Sequence, residues 1–263
     1  MSEPVRLGGM ALANGVLVHG PHSWACAVRT DDGELKVVAR RKQLRANAIE
    51  SPLLRGPVRL AEAMALLPQI KRALPEAKLP FERPGVLGAM IGSAFAGSAV
   101  RKSRLGAGMQ ELVAGLLSVA PALLALRGGE VAAYHGAEHV TIGSYEHGEA
   151  RPREHERCGS HLVGPLLITG AAANVAAGKL RGPARQAGRA AAAVGAIAAS
   201  TEIFGWMTRN PGHPLAKALA RPGHELQHRV ATKDPDAAQL EVAEAALNAC
   251  LEIEMQTHVH ADA

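Results

Sequence analysis

Three residues in the middle of the chain, His135, Glu138 and His139, form the pattern H-x-x-E-H. Residues four apart share one face of an α-helix, so both imidazoles can bind the same metal ion. Glu138 would lie beside that face, where its carboxylate could take a proton from a metal-bound water as a general base. The pattern therefore predicts a transition-metal site, with zinc favoured. Gly136 and Ala137 are small and are expected to leave access to the site.

A second group of ligating residue types follows about 15 residues later. Residues 154–161 contain two histidines and a cysteine. We predict that His155 and Cys158 complete the metal site, because a thiolate ligand favours zinc or another divalent transition metal. Two alternatives stay open: His161 could be a surface histidine, and Cys158 could be a small buried hydrophobic residue.

Several polar residues are expected near the metal without binding it. These are Tyr145, Glu146, His161 and Glu202. Glu146 follows His139 by seven residues, about 10 Å along a straight helix, which is too far to share one ion unless Gly143 breaks the helix. Arg157 is predicted to steady a developing oxyanion. Glu202 lies within an apolar stretch and is a candidate functional acid, with a solvated helix surface as its alternative.

The composition excludes some classes of protein. The chain has 263 residues, of which 48% are hydrophobic but only 3% aromatic, so small side chains must build much of the core. The net charge of +5 comes from scattered basic residues, which does not indicate a nucleic-acid-binding stripe. Three widely spaced cysteines favour a reducing compartment over a disulfide framework. The sequence has no recognisable signal peptide, and without a phosphate loop or dinucleotide fingerprint no nucleotide-binding residues are predicted.

The periodicity predicts an α+β fold that is mainly helical. Residues 1–50 form a small β-rich region, in which Asn14-Gly15 and Asp32-Gly33 are typical hairpin turns. Residues 51–263 form a helical, metal-binding region packed as one domain with the first. A C-terminal amphipathic helix is predicted over 238–254, with Asp236 as its N-cap.

Four apolar stretches rich in Ala and Gly cover residues 86–100, 112–126, 162–177 and 190–204. Each has about 15 to 16 residues, fewer than the roughly 20 that cross a bilayer core. One interpretation is a membrane protein whose helices pack through small residues. The other is a soluble helical core, which the mean hydropathy of +0.03 slightly favours.

Four blocks of the chain, in order, resemble a known family. They are Gly8-Gly9 with Ser23-Trp24-Ala25 and Asp32-Gly33-Glu34, then His135-Gly136-Ala137-Glu138-His139 with Tyr145-Glu146, then His155 with Arg157-Cys158-Gly159, and finally Pro222-Gly223, Leu226-Gln227 and Gln239-Leu240-Glu241. The chain resembles the YqhQ-like family of predicted metal-dependent enzymes, known as domain of unknown function family 1385. The resemblance implies membrane association, at the bacterial inner membrane or its cytoplasmic face, with a cytoplasmic location as the alternative. Asn14 replaces a carboxylate usual in that family, which puts a catalytic role for the first turn in doubt.

Together these patterns predict a membrane-associated, metal-dependent hydrolase of unknown substrate. The alternative is a non-enzymatic membrane or scaffold protein with a structural metal site. Three protein ligands plus a water would indicate catalysis, whereas four would indicate a closed structural site. The oligomeric state stays open, and an oligomer is compatible with either interpretation.

Overall fold

The computed structural model describes residues 4–44, 46–126 and 129–261, which form a small sheet followed by helices. The strands are β1 (Gly8–Ala11), β2 (Gly15–His19), β3 (Ser23–Arg29) and β4 (Leu35–Arg41). The helices are α1 (Arg55–Ala73), α2 (Pro84–Val100), α3 (Ala107–Leu126), α4 (Glu130–His147), α5 (Val163–Gly178), α6 (Gly182–Arg209), α7 (Pro214–Leu226) and α8 (Ala237–Ala261). The predicted mainly helical α+β class is confirmed.

The N-terminal strands form one antiparallel sheet in the order β1-β2-β3-β4. The turn between β3 and β4 contains Gly33, whose φ of 88° suits glycine. At the first turn the side chain of Asn14 donates to the carbonyl of Arg29 and accepts from the backbone N–H of Lys78. The side chain of Asn14 therefore fixes backbone segments to each other.

Helices cover both faces of the sheet, because the strand residues alternate between two apolar sets. Val16, Val18, Ala25 and Ala27 pack with residues of α4 and α8. Leu17, Trp24, Cys26 and Val28 point the other way and pack on Leu66, Leu67 and Ile70 of α1. This arrangement places β1 and β2 directly against α4, the helix of the H-x-x-E-H pattern.

The C-terminal helix α8 begins with a reciprocal capping box. The Asp236 carboxylate accepts from the backbone N–H of Gln239, and the Gln239 side chain accepts from the backbone N–H of Asp236. The predicted N-cap is therefore confirmed, although α8 runs beyond the predicted end. Its residue Glu254 is fully buried and accepts hydrogen bonds from the backbone and hydroxyl of Ser23, which fastens α8 to the β2–β3 turn.

Two helical hairpins, α2–α3 and α5–α6, pack together through α3 and α5. Three segments are long and apolar enough to cross a membrane: Gly108–Leu126, Gly159–Gly178 and Gly182–Arg209. In the most apolar 18-residue window of each segment, only 17%, 22% and 22% of the residues are buried, so most of these residues face outward. The predicted stretches 112–126 and 190–204 were shorter than the helices that contain them, α3 and α6, whereas α5 has 16 residues, the length of its predicted stretch, and its candidate span includes the turn that precedes it.

Candidate metal centre

Helix α4 presents the H-x-x-E-H residues from the interior of the protein. Gly129 and Gly148 flank it with positive φ angles of 93° and 68°, which sets both ends. Gly136 lies so close to the main chain that a Cβ atom would be 2.0 Å from the carbonyl oxygen of Lys233. Ala137 is completely buried. The expectation that these small residues leave access to the site is therefore wrong, since Gly136 lets the backbone of Lys233 approach α4 and Ala137 packs in the core.

The structure brings three predicted ligands together: His135, His139 and Cys158. Their ligand atoms all lie within 4.8 Å of one another, and Nε2 of His135 is 3.6 Å from Sγ of Cys158. Nδ1 of His135 faces the carbonyl of Ala231 at 2.9 Å, and Nδ1 of His139 faces that of Arg153 at 2.6 Å. Each Nδ1–H thus donates to a carbonyl, which leaves both Nε2 lone pairs for a metal ion.

These side chains fit a zinc ion by distance and by protonation state. Zinc–nitrogen and zinc–sulfur bonds of about 2.0 and 2.3 Å at a tetrahedral angle place the two ligand atoms about 3.5 Å apart, close to the 3.6 Å between Nε2 of His135 and Sγ of Cys158. Nε2 of His139 is buried and has no hydrogen-bond partner among the described residues. Burial lowers the pKa of His139 despite a contact with Cys158, so the imidazole is neutral at pH 7, as metal binding requires.

Glu138 places a free carboxylate oxygen beside this group. Its Oε2 lies 4.0 Å from Nε2 of His135. This oxygen is buried and has no hydrogen-bond partner in the described part of the chain. Burial raises the pKa of Glu138, although the neighbouring His135 and His155 oppose the rise. A carboxylate with a raised pKa is suited to accepting a proton from a nearby water and releasing it again.

His155 lies next to the three ligands but outside their group. Its ring centroid is 5.5 Å from that of His139, and its Nε2 is 3.2 Å from Oε2 of Glu146. The other oxygen of Glu146 accepts from Nη1 of Arg157 at 2.8 Å. Burial raises the pKa of Glu146, but His155, Arg157 and the backbone of Leu7 outweigh it and hold that pKa below its usual value. The side chain of Glu146 is therefore an ionised carboxylate, and it orients both His155 and Arg157.

The remaining predicted site residues lie at different distances from this group. The Tyr145 hydroxyl accepts from the backbone N–H of Val5 and so holds the N-terminal segment on α4. His161 is buried, with Nδ1 3.2 Å from Nε2 of Gln227. Glu202 lies on α6, where it forms a salt bridge with Arg55 of α1. This salt bridge connects α6 to α1.

Gln227 organises the cysteine segment and was not predicted as a site residue. It is fully buried; its oxygen accepts from the backbone N–H of His155 at 2.8 Å, and its nitrogen donates to Oγ of Ser160 at 2.7 Å. It lies in a π-helical turn (Gln227–Ala231), which ends at the carbonyl that orients His135. Such turns are frequent at functional sites. Its only signal in the sequence was membership of a block shared with the resembled family.

A known family covers this part of the chain. Residues 129–253 match the model of the family described as "Protein of unknown function (DUF1385)". This segment belongs to the DUF1385 family. The matched DUF1385 segment begins just before α4 and ends within α8, so it contains the three candidate ligands, Glu138 and Gln227. No curated protein and no solved structure matches the chain.

Proposed function

We propose that this DUF1385 protein is a membrane-associated, metal-dependent hydrolase whose zinc ion is held by His135, His139 and Cys158. The observation that carries the proposal is a three-ligand group with the unpartnered, buried Oε2 of Glu138 beside it. Three protein ligands leave one position of a tetrahedral ion open, which is the pattern of catalytic rather than structural zinc.

The protein groups have separate tasks in this proposal. Bound zinc in such a site would supply a water acidic enough to be deprotonated near pH 7. Glu138 accepts that proton at Oε2 and delivers it to the leaving group. Glu146 holds Nη1 of Arg157, and we assign the other guanidinium donors to the negative charge that develops on the substrate.

Membrane association is supported by the three helices that are long and apolar enough to cross a bilayer. Helix α3 ends at Leu126, shortly before α4, and α5 begins at Val163, shortly after Cys158. The metal group is therefore connected to the apolar helices on both sides. We place the protein at the bacterial inner membrane with the site on the cytoplasmic face, where three unpaired cysteines stay reduced. Retention in the membrane fraction after carbonate washing tests this, and release into the wash would contradict it.

Cobalt substitution tests the metal site without knowledge of the substrate. The full chain, purified without chelator, should contain about one zinc per chain, and its cobalt form should show a thiolate-to-cobalt charge-transfer band that Cys158→Ser abolishes. An open fourth position predicts that azide and pH change the cobalt spectrum. In Glu138→Gln the metal content should stay while the pH dependence shifts. A zinc content near zero would contradict the proposal.

The same cobalt experiment distinguishes a structural metal site, with four protein ligands, from a catalytic one. His155 is buried and close enough to His139 to supply a fourth ligand if it turned away from Glu146. In that case azide would leave the cobalt spectrum unchanged, and His155→Ala would open the site to it. That result would favour the non-enzymatic alternative, in which the metal fastens α4 to the Cys158 segment.

A further inference from the structure

A basic cleft lies where the tips of the two helical hairpins meet. Four cationic side chains line it: Arg101 and Lys102 from the α2–α3 loop, and Arg185 and Arg189 from the first two turns of α6. Its volume is about 740 Å³ and its other lining residues, Gln110 and Gln186 among them, include no carboxylate. The cleft is therefore built to receive negative charge.

Most of this charge is not neutralised by the protein. Arg101 pairs with Glu111 on α3. Among the residues that the structure describes, no carboxylate forms a salt bridge with Lys102, Arg185 or Arg189. In addition, Nε of Arg189 is buried without a hydrogen-bond partner in the described part of the chain. Lys102, Arg185 and Arg189 therefore present positive charge to the cleft without a carboxylate partner among the described residues.

An apolar groove leads away from the same cleft. It runs between α2 and α3, from Phe81 past Met90 and Ala122 to Arg101, and has a volume of about 520 Å³. Arg101 lines both the groove and the basic cleft. The two cavities therefore adjoin at Arg101, with the charged lining on one side and the apolar groove on the other.

The length of α6 puts the charged end at the height of lipid headgroups. The helix has 28 residues, whereas roughly 20 span a bilayer core. Arg185 and Arg189 belong to its first eight residues, and the uncharged run begins at Ala190. With the apolar part in the bilayer core, both arginines lie in the interfacial region, where guanidinium groups can form charge-assisted hydrogen bonds to lipid phosphates.

We propose that this composite surface binds one anionic phospholipid, with its phosphate in the basic cleft and an acyl chain in the α2–α3 groove. The proposal rests on the membrane association proposed above but not on the hydrolase activity. Charge complementarity identifies the headgroup, and the apolar groove that adjoins the cleft at Arg101 favours a lipid over a free anion.

Native mass spectrometry of the detergent-solubilised full chain provides the test. Phosphatidylglycerol should bind at least tenfold more tightly than phosphatidylcholine with identical chains. Each basic residue near a lipid surface contributes a factor of about five, so Arg185→Gln with Arg189→Gln should weaken phosphatidylglycerol binding roughly 30-fold. The double substitution to Lys should retain most of it. Ala122→Phe, which fills the groove at an exposed position, should weaken long-chain lipid more than short-chain lipid.

A matched control is the double variant Arg40→Gln with Arg41→Gln, which removes the same charge from exposed positions on β4. Four outcomes would each overturn the proposal: equal binding of the two lipids, an equal loss in this control, full competition by inorganic phosphate, and no effect of Ala122→Phe. Zinc content and carbonate-resistant membrane retention are measured on the same preparations. If both are intact while lipid selectivity is missing, the phospholipid site alone fails.

Discussion

Glu138 of α4 packs directly on the main chain of Gly9 in β1, and a Cβ atom at position 9 would lie 2.3 Å from Oε1 of Glu138. No side-chain carbon can occupy that space without a shift of the carboxylate or the strand. The N-terminal sheet therefore forms a wall of the metal site and fixes the candidate base. This contact also connects the sheet to the DUF1385 segment, since Gly9 lies outside the matched residues.

Gly9→Ala should consequently destabilise the protein and displace Glu138. Overpacking in a close-packed interior costs about 1–3 kcal/mol, which chemical denaturation of the solubilised protein can measure. Zinc content should stay the same, because the three atoms nearest to a Cβ at position 9 all belong to Glu138 and none to a candidate metal ligand. In a Glu138→Ala background the same change should cost less than about 1 kcal/mol. An equal cost in both backgrounds would contradict the direct contact.

Thiol labelling should distinguish Cys158 from the other two cysteines. Cys158 is partly exposed, whereas Cys26 and Cys250 are fully buried, and burial raises the pKa of Cys26 to about 12. In chelator-treated native protein a maleimide should therefore modify one thiol per chain, and added zinc should protect it. Cys158→Ser should abolish native labelling, while unfolded wild-type protein should label three times. Rapid labelling that zinc leaves unchanged would argue against Cys158 as a ligand.

Local spacing was sufficient to predict the ligand types but not their final assignment. His135 and His139 share a helix face by periodicity alone, and Cys158 returns to them because the intervening segment contains turn residues. The prediction that His155 also binds the metal could not take account of its side-chain direction, which depends on contacts between two segments. In the structure His155 and Glu146 contact each other, which keeps His155 outside the three-ligand group.

Residues that act through tertiary contacts gave no local signal. Gly9 and Gln227 are distant in sequence from the histidines, and their roles arise only when β1 and the π-helical turn pack against α4 and the cysteine segment. The apolar stretches were correctly located, but α3 and α6 begin several residues before their predicted stretches, because a helix can continue through residues that hydropathy excludes. The burial of Glu254 was likewise hidden, since a Glu on an amphipathic helix normally faces solvent.

Gln227→Ala should weaken zinc binding although Gln227 touches no metal ligand atom. The change removes the acceptor of the His155 backbone N–H and the donor to Ser160, and so loosens the segment that carries Cys158. Loss of supporting hydrogen bonds around a metal site typically costs 10–100-fold in affinity, which competition with a chromophoric chelator measures. Gln69→Ala is a suitable control, because Gln69 donates to Ala65 within α1. Equal zinc affinity in wild type and Gln227→Ala would refute this supporting role.

His19 should make the metal-free protein less stable as the pH falls below 6.5. Burial and the neighbouring Lys42 lower its pKa from 6.5 to about 4, against the opposing charges of Glu62 and Glu254. Between these two values the unfolded chain binds a proton that the folded protein does not, so the free energy of unfolding falls with decreasing pH. From pH 7 to pH 5 this amounts to about 2 kcal/mol, at 1.36 kcal/mol per pH unit below 6.5. Denaturation in chelator removes the contribution of metal release. The slope of unfolding free energy against pH should be smaller in His19→Gln, whose amide oxygen can still accept from Lys42. The difference between the wild-type and variant curves isolates His19 from the other buried histidines. Parallel curves would show that His19 is protonated equally in the folded and unfolded states.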